Sequence, residues 1–248
     1  MKLYALLFLF ATATMLPAAE PKEKGQLIYL RDYGTDDIGF LVVPDQQPQA
    51  GVVILTDGHG LTKEVKQQAE MVAGHGYLVL VVDLYNGNVS DSAQQAARME
   101  SDLMEKAVQS SIKTGINFFQ SSPRFKTEHV LAVALGGVSR HLAVFAGKKN
   151  SGLEAVIFCE PTGILTRQDL LAVHCAKLFL VADGSPLPAA LGAAKIEEQP
   201  GVLELKSEAV TAGSLPRLTE TRWKQVEDFY SRVQESLKKE SLIKKLFD

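Results

Sequence analysis

The strongest constraint on this chain is a pair of continuous apolar runs, GVVILT at 51–56 and YLVLVV at 77–82. Each is short and rich in β-branched residues, so each reads as a strand covered on both faces. Between them, residues 62–73 carry helical spacing. Thr62 is placed to cap the first turn, and Gly74-His75-Gly76 to end the last. A buried strand, a helix and a second buried strand form a βαβ unit, which calls for a parallel sheet.

The alternation continues along the chain. Strands are expected at 26–29, 38–43, 130–133, 153–158, 178–181 and 202–205, and helices at 92–99, 102–119, 137–146, 166–173, 189–198 and 220–239. This predicts a mostly parallel α/β sheet of about eight strands with helices on both faces. In the last helix, Trp223, Val226, Phe229, Tyr230, Val233 and Leu237 share one side, which must face the body. No strand is followed by Gly-x-Gly-x-x-Gly, and there is no phosphate-binding loop. No His, Cys and carboxylate set has metal-ligand spacing. No cofactor and no metal are therefore expected.

The first residues read differently. Met1-Lys2 is basic, 3–16 is apolar, and Pro17-Ala18-Ala19-Glu20 supplies small residues and a charge. That is a signal-peptide pattern over residues 1–19, with cleavage expected after Ala18 or Ala19. The apolar run is shorter than the roughly 20 residues of a membrane span, so no integral membrane segment is expected in the mature chain. Residues 20–248 then form a single domain, periplasmic or extracellular. The net charge of −3 offers no electrostatic reason for a nucleic-acid partner. Export would permit a disulfide between the two cysteines, Cys159 and Cys175. They are expected at opposite ends of neighbouring parallel strands, whereas a bridge needs Cα atoms within about 7 Å. Free thiols are expected.

Residues 51–87 carry a resemblance. A strand leads into a loop with Asp57 and Gly60; a helix, Gly76-Tyr77, a second strand and the turn Asp83-Leu84-Tyr85-Asn86-Gly87 follow. In this order and spacing the segment resembles the dienelactone hydrolase family of the α/β-hydrolase superfamily, with weaker similarity over about residues 25–238. The resemblance implies an α/β-hydrolase fold, and loop amides near Gly58 and Leu135 that could form an oxyanion hole. Asp83 and Tyr85 are expected to shape their turn.

The same resemblance implies a nucleophile on the turn after the strand at 130–133, in a Gly-x-Cys-x-Gly-Gly or Gly-x-Ser-x-Gly motif. The chain reads Ala132-Val133-Ala134-Leu135-Gly136-Gly137, which puts Ala134 at the nucleophile position. Ser139 and His141 fall inside the following helix rather than on the turn. The acid position falls on Ser185, with Asp183 two residues earlier. The base should follow the last strand, but the final histidine of the chain is His174. The triad is therefore degenerate at two independent positions. The expected protein is an exported, catalytically inactive binding or structural member of the family, taking a small carboxylate or ester ligand. The alternative is an active carboxylic-ester or lactone hydrolase with a non-standard site. For either, Asp57, Gly58, His59, Leu135, Glu160 and Asp183 are the candidate residues, gathered at the C-terminal ends of the strands.

Overall fold

The computed structural model describes residues 24–162, 165–183, 185, 203–208 and 217–247. The segment 1–19, the helix expected over 189–198 and residues 209–216, part of the stretch where the family resemblance places the catalytic base, lie outside the described residues.

The strands are β1 (Gln26–Tyr29), β2 (Ile38–Val42), β3 (Gly51–Leu55), β4 (Leu78–Asp83), β5 (Val130–Leu135), β6 (Ala155–Cys159), β7 (Ala176–Ala182) and β8 (Leu203–Glu208). They form one eight-stranded sheet in the order β1-β2-β4-β3-β5-β6-β7-β8. β2 runs antiparallel to β1 and β4, and the pairs from β4 through β8 are parallel. The described helices are α1 (Lys63–Gly74), α2 (Ala93–Ser101), α3 (Glu105–Ser121), α4 (Ser139–Ala146), α5 (Arg167–Ala172) and α6 (Glu220–Phe247). Thr62 caps α1 as expected, its Oγ accepting from the Val65 N–H at 3.3 Å.

The alternation of side chains along each strand builds two cores. Val53 and Leu55 join Ile112, Ile116 and Phe119 of α3 and Leu142 of α4. Val52 and Ile54 join Val65, Ala69 and Val72 of α1 with Trp223, Val226 and Phe229 of α6. The central strands are buried on both faces, which is why their sequences are continuously apolar. Among the described residues, no helix is long and apolar enough to cross a membrane.

The structure differs from the sequence reading at several ends. α6 continues to Phe247, because residues 240–247 contain no Gly or Pro and are mostly strong helix formers. β5 extends two residues past 133, since Ala134 and Leu135 pair with Phe158 and Cys159. Cys159 and Cys175 are not joined by a disulfide, as expected. Cys159 closes β6 opposite Leu180, whereas Cys175 precedes the first residue of β7. The histidines away from the site hold the opposite edge: His75 Nε2 lies 2.6 Å from Glu220, and His129 Nδ1 lies 2.7 Å from Glu154.

Candidate functional site

At the C-terminal edge of the sheet, β3 opens into Thr56-Asp57-Gly58-His59-Gly60. β5 opens into Gly136-Gly137, β6 into Glu160, and β7 into Asp183. The pairings Leu55 with Ala134, Leu135 with Cys159 and Cys159 with Leu180 bring these exits to one edge. The candidates therefore share a side of the sheet, although their environments differ.

Asp57 is 6% exposed. Its Oδ1 accepts the His59 N–H at 3.0 Å, and its carbonyl accepts the Gly60 N–H at 3.0 Å, closing a tight turn. Burial pushes the Asp57 carboxyl above the usual aspartate range; the His59 amide and ring act against this, and the charge of Glu100 adds to it. His59 braces the loop. Its Nδ1 lies 3.0 Å from the Ser90 carbonyl, so that nitrogen carries the proton, and its own carbonyl accepts the Ser90 N–H at 3.1 Å.

A residue that the sequence did not single out completes this corner. Glu100, on α2, accepts the Gly58 N–H at 2.9 Å through Oε1. Its carboxylate also lies against Gly137, where an added Cβ would stand 2.2 Å from Oε2. A Cβ on Gly58 would meet the Ala96 carbonyl oxygen at 2.1 Å, so only glycine lets α2 come down onto the loop. Gly58 and Gly60, flanking His59 just after Asp57, were the available signal, because each permits a close backbone approach; neither names the partner.

The turn after β5 corrects an expectation. The motif places it at Ala134, but the strand runs straight through Ala134, which is fully buried in the core with Leu55, Ala132, Val138 and Phe158. The left-handed residue is Gly136, with φ +61°. Cross-strand pairing holds Ala134 and Leu135 extended, and Gly136 turns at no Cβ cost. Ser139 closes the turn by donating its hydroxyl to the Gly136 carbonyl at 2.7 Å and is itself buried. His141 follows on α4. Burial lowers its pKa, Glu105 and Glu100 oppose that shift, and its Nδ1 has no hydrogen-bond partner among the described residues.

The remaining candidates stand apart. Glu160 adopts φ +48°, rare for a residue with a side chain. Its carboxylate pairs with Arg222 of α6 and accepts the Ala182 N–H at 3.2 Å. The pair ties β6, β7 and α6 together and leaves that carboxylate committed. Leu135 is buried at the end of β5. Asp183 is exposed, and the Ser185 N–H donates to the Ala182 carbonyl at 3.1 Å. Asp83 accepts the amides of Tyr85 and Gly87 and so shapes its turn, as expected. Among the described residues no group of three or more His, Cys, Asp or Glu could hold a metal ion.

Sheet order, strand directions and the loops on this edge define an α/β-hydrolase fold. The chain belongs to the dienelactone hydrolase family, whose model matches residues 38–174, more than half of the chain. Its fold is similar to that of a dienelactone hydrolase from Anabaena variabilis, at 16% identity and TM-score 0.62, covering 84% of this chain and 96% of that one. It is similar also to a dienelactone hydrolase-like promiscuous phosphotriesterase from metagenomic libraries, at 14% identity and TM-score 0.62, covering 85% and 97%. Esterase 2 of Thermogutta terrifontis aligns at 14% identity and TM-score 0.57, covering 88% and 96%. No curated protein matches the chain.

The Asp57 environment makes a pH prediction. The folded carboxyl holds its proton more tightly than the unfolded one, whose ordinary value is 3.8. The native protein therefore loses stability as pH rises from that value through the raised one. Asp57→Asn keeps an acceptor for the His59 amide and lacks the buried charge. It is expected to raise Tm at pH 7, by about 2–4 °C per kcal/mol gained, and to give no gain at pH 3. Melting curves from pH 3 to 8 check this; an equal gain at both ends would show that the effect is not ionisation.

Proposed function

We propose that this member of the dienelactone hydrolase family is an exported protein that holds a small carboxylate or ester ligand without hydrolysing it. The observation that carries the reading is Ala134: its methyl cannot attack a carbonyl, and it lies in the buried core on an extended strand. No histidine follows His174 in the sequence, so the base that would activate a nucleophile has no candidate at its usual place. Export rests on the pattern of residues 1–19, and the exported product is expected to begin at Ala19 or Glu20.

The test is hydrolysis of p-nitrophenyl acetate and dihydrocoumarin by the chain from residue 20. The expected rate is no greater than that of surface amines, without saturation. Ala134→Ser and Ala134→Cys are expected to leave it unchanged, because a hydroxyl or thiol there enters the core rather than the crevice. A second reading, an active hydrolase with a non-standard site, draws on Asp57, whose raised pKa suits a proton donor. Saturable turnover abolished by Asp57→Ala or Asp183→Ala would establish it and sink the first.

A further inference from the structure

We propose that the amide notch at the end of β3 is a binding site for a monocarboxylate with a short apolar tail, and that Glu100 fills it as an intramolecular stand-in which the ligand displaces. The proposal rests on the ligand-holding reading above and specifies its ligand class and its gate.

The Glu100 carboxylate sits where the carboxylate of a ligand would sit. It takes the Gly58 N–H at 2.9 Å and lies against Gly137 at the start of the turn after β5. It therefore bridges the two loops that frame the crevice. A site that already orders one carboxylate between a backbone amide and a bare α-carbon has the shape and the donor for another. If Glu100 swings out as the ligand enters, one carboxylate replaces another, and the charge felt by the buried Asp57 is unchanged.

A second observation points to the same place. The Tyr85 hydroxyl is buried, with the residue 6% exposed, and has no hydrogen-bond partner among the described residues. Burial raises its pKa most, followed by the charges of Glu100 and Asp57, and Tyr85 shares a cavity wall with Met99, the residue before Glu100. A buried donor left unpaired is costly, and a ligand carboxylate with one oxygen on the Gly58 amide has its second oxygen to offer.

The helix that delivers Glu100 is suited to move. In α2 only Ala96 is buried, so lifting it exposes little apolar surface. Beside α2 is a cavity of about 350 Å³ lined by Leu84, Tyr85, Met99 and Leu103, with Asn88, Gln95 and Asp102 also on its wall. Tyr85 lies on the wall of this cavity, and Met99 on the same wall adjoins Glu100 in the chain. A tail leaving the notch along Tyr85 meets leucine and methionine, while Asp102 opposes a second negative charge. A monocarboxylate fits this better than a dicarboxylate.

The experiment titrates the chain from residue 20, and its Glu100→Ala variant, with acetate, hexanoate and adipate. Binding is read by calorimetry and by the Gly58 amide resonance. Hexanoate is expected to bind Glu100→Ala at least tenfold more tightly than the unmodified chain, and more tightly than acetate or adipate. In the unmodified chain, hexanoate is expected to speed hydrogen exchange across α2. A folded Glu100→Ala protein with unchanged hexanoate affinity overturns the proposal, as does binding that leaves Gly58 unperturbed. If that variant does not fold, the unmodified chain decides: no change in α2 exchange with added hexanoate overturns it. Ester turnover alongside tightened hexanoate binding would sink only the non-hydrolytic reading. Absence of both would sink only this proposal.

Discussion

Glu160→Gln is expected to destabilise the fold by about 3 kcal/mol, the low end of the range for breaking a buried ion pair by removing one partner, because the Glu160 side chain is 21% exposed. Arg222 is 1% exposed and reaches Glu160 from the first turns of α6, with the Arg217 carbonyl at 3.1 Å and Cys159 Sγ at 3.5 Å among its other partners. Its charge cannot be shed, so loss of the carboxylate leaves a guanidinium in the core with the neutral Arg217 carbonyl and Cys159 Sγ among its remaining acceptors. The double variant Glu160→Gln/Arg222→Met is expected to recover most of the loss, because it removes both charges at similar volume. Urea unfolding of the three proteins measures this. A single-variant cost below about 1 kcal/mol would place the pair among solvent-screened surface bridges. Since Glu160 also accepts the Ala182 amide, the expected local consequence is loosening at the ends of β6 and β7, beside the exposed Asp183.

Trp223→Ala is expected to cost a further about 3–5 kcal/mol, from lost burial and the cavity left behind. The indole is fully buried and stands edge-on to Tyr77, with ring centroids 5.0 Å apart at 87°. One residue earlier on the same helix is Arg222, so a shift of α6 here reaches the Glu160 pair as well. The two losses should therefore add imperfectly, and a double-mutant cycle of Trp223→Ala with Glu160→Gln is expected to show coupling. Domains have about 5–15 kcal/mol in total, so the Trp223→Ala protein should unfold at markedly lower urea. A loss under about 1.5 kcal/mol would mean that α6 repacks into the space rather than being fixed by the indole.

The fold was legible because its signals are local. The continuous apolar runs at 51–56 and 77–82 and the Thr62 cap depend on neighbours within a few residues, and they recur in β3, α1 and β4. So does the turn aspartate Asp83. Boundaries were less legible where pairing decides them. β5 extends through Ala134 because β6 offers Phe158 and Cys159 as partners, which the motif Ala132–Gly137 cannot reveal.

The sequence by itself determined two things about the site: a methyl at 134, and no histidine after 174. These are statements of composition at a position, and no folding changes them. The tertiary structure alone decided the rest. Glu160, a candidate by its place at a strand exit, is committed to Arg222, 62 residues along the chain. Glu100 reaches the Gly58 amide from 42 residues away. Such contacts depend on how α2 and α6 dock on the sheet. Docking is set by the summed packing of many side chains, so neither spacing nor motif announces which carboxylate arrives at which amide.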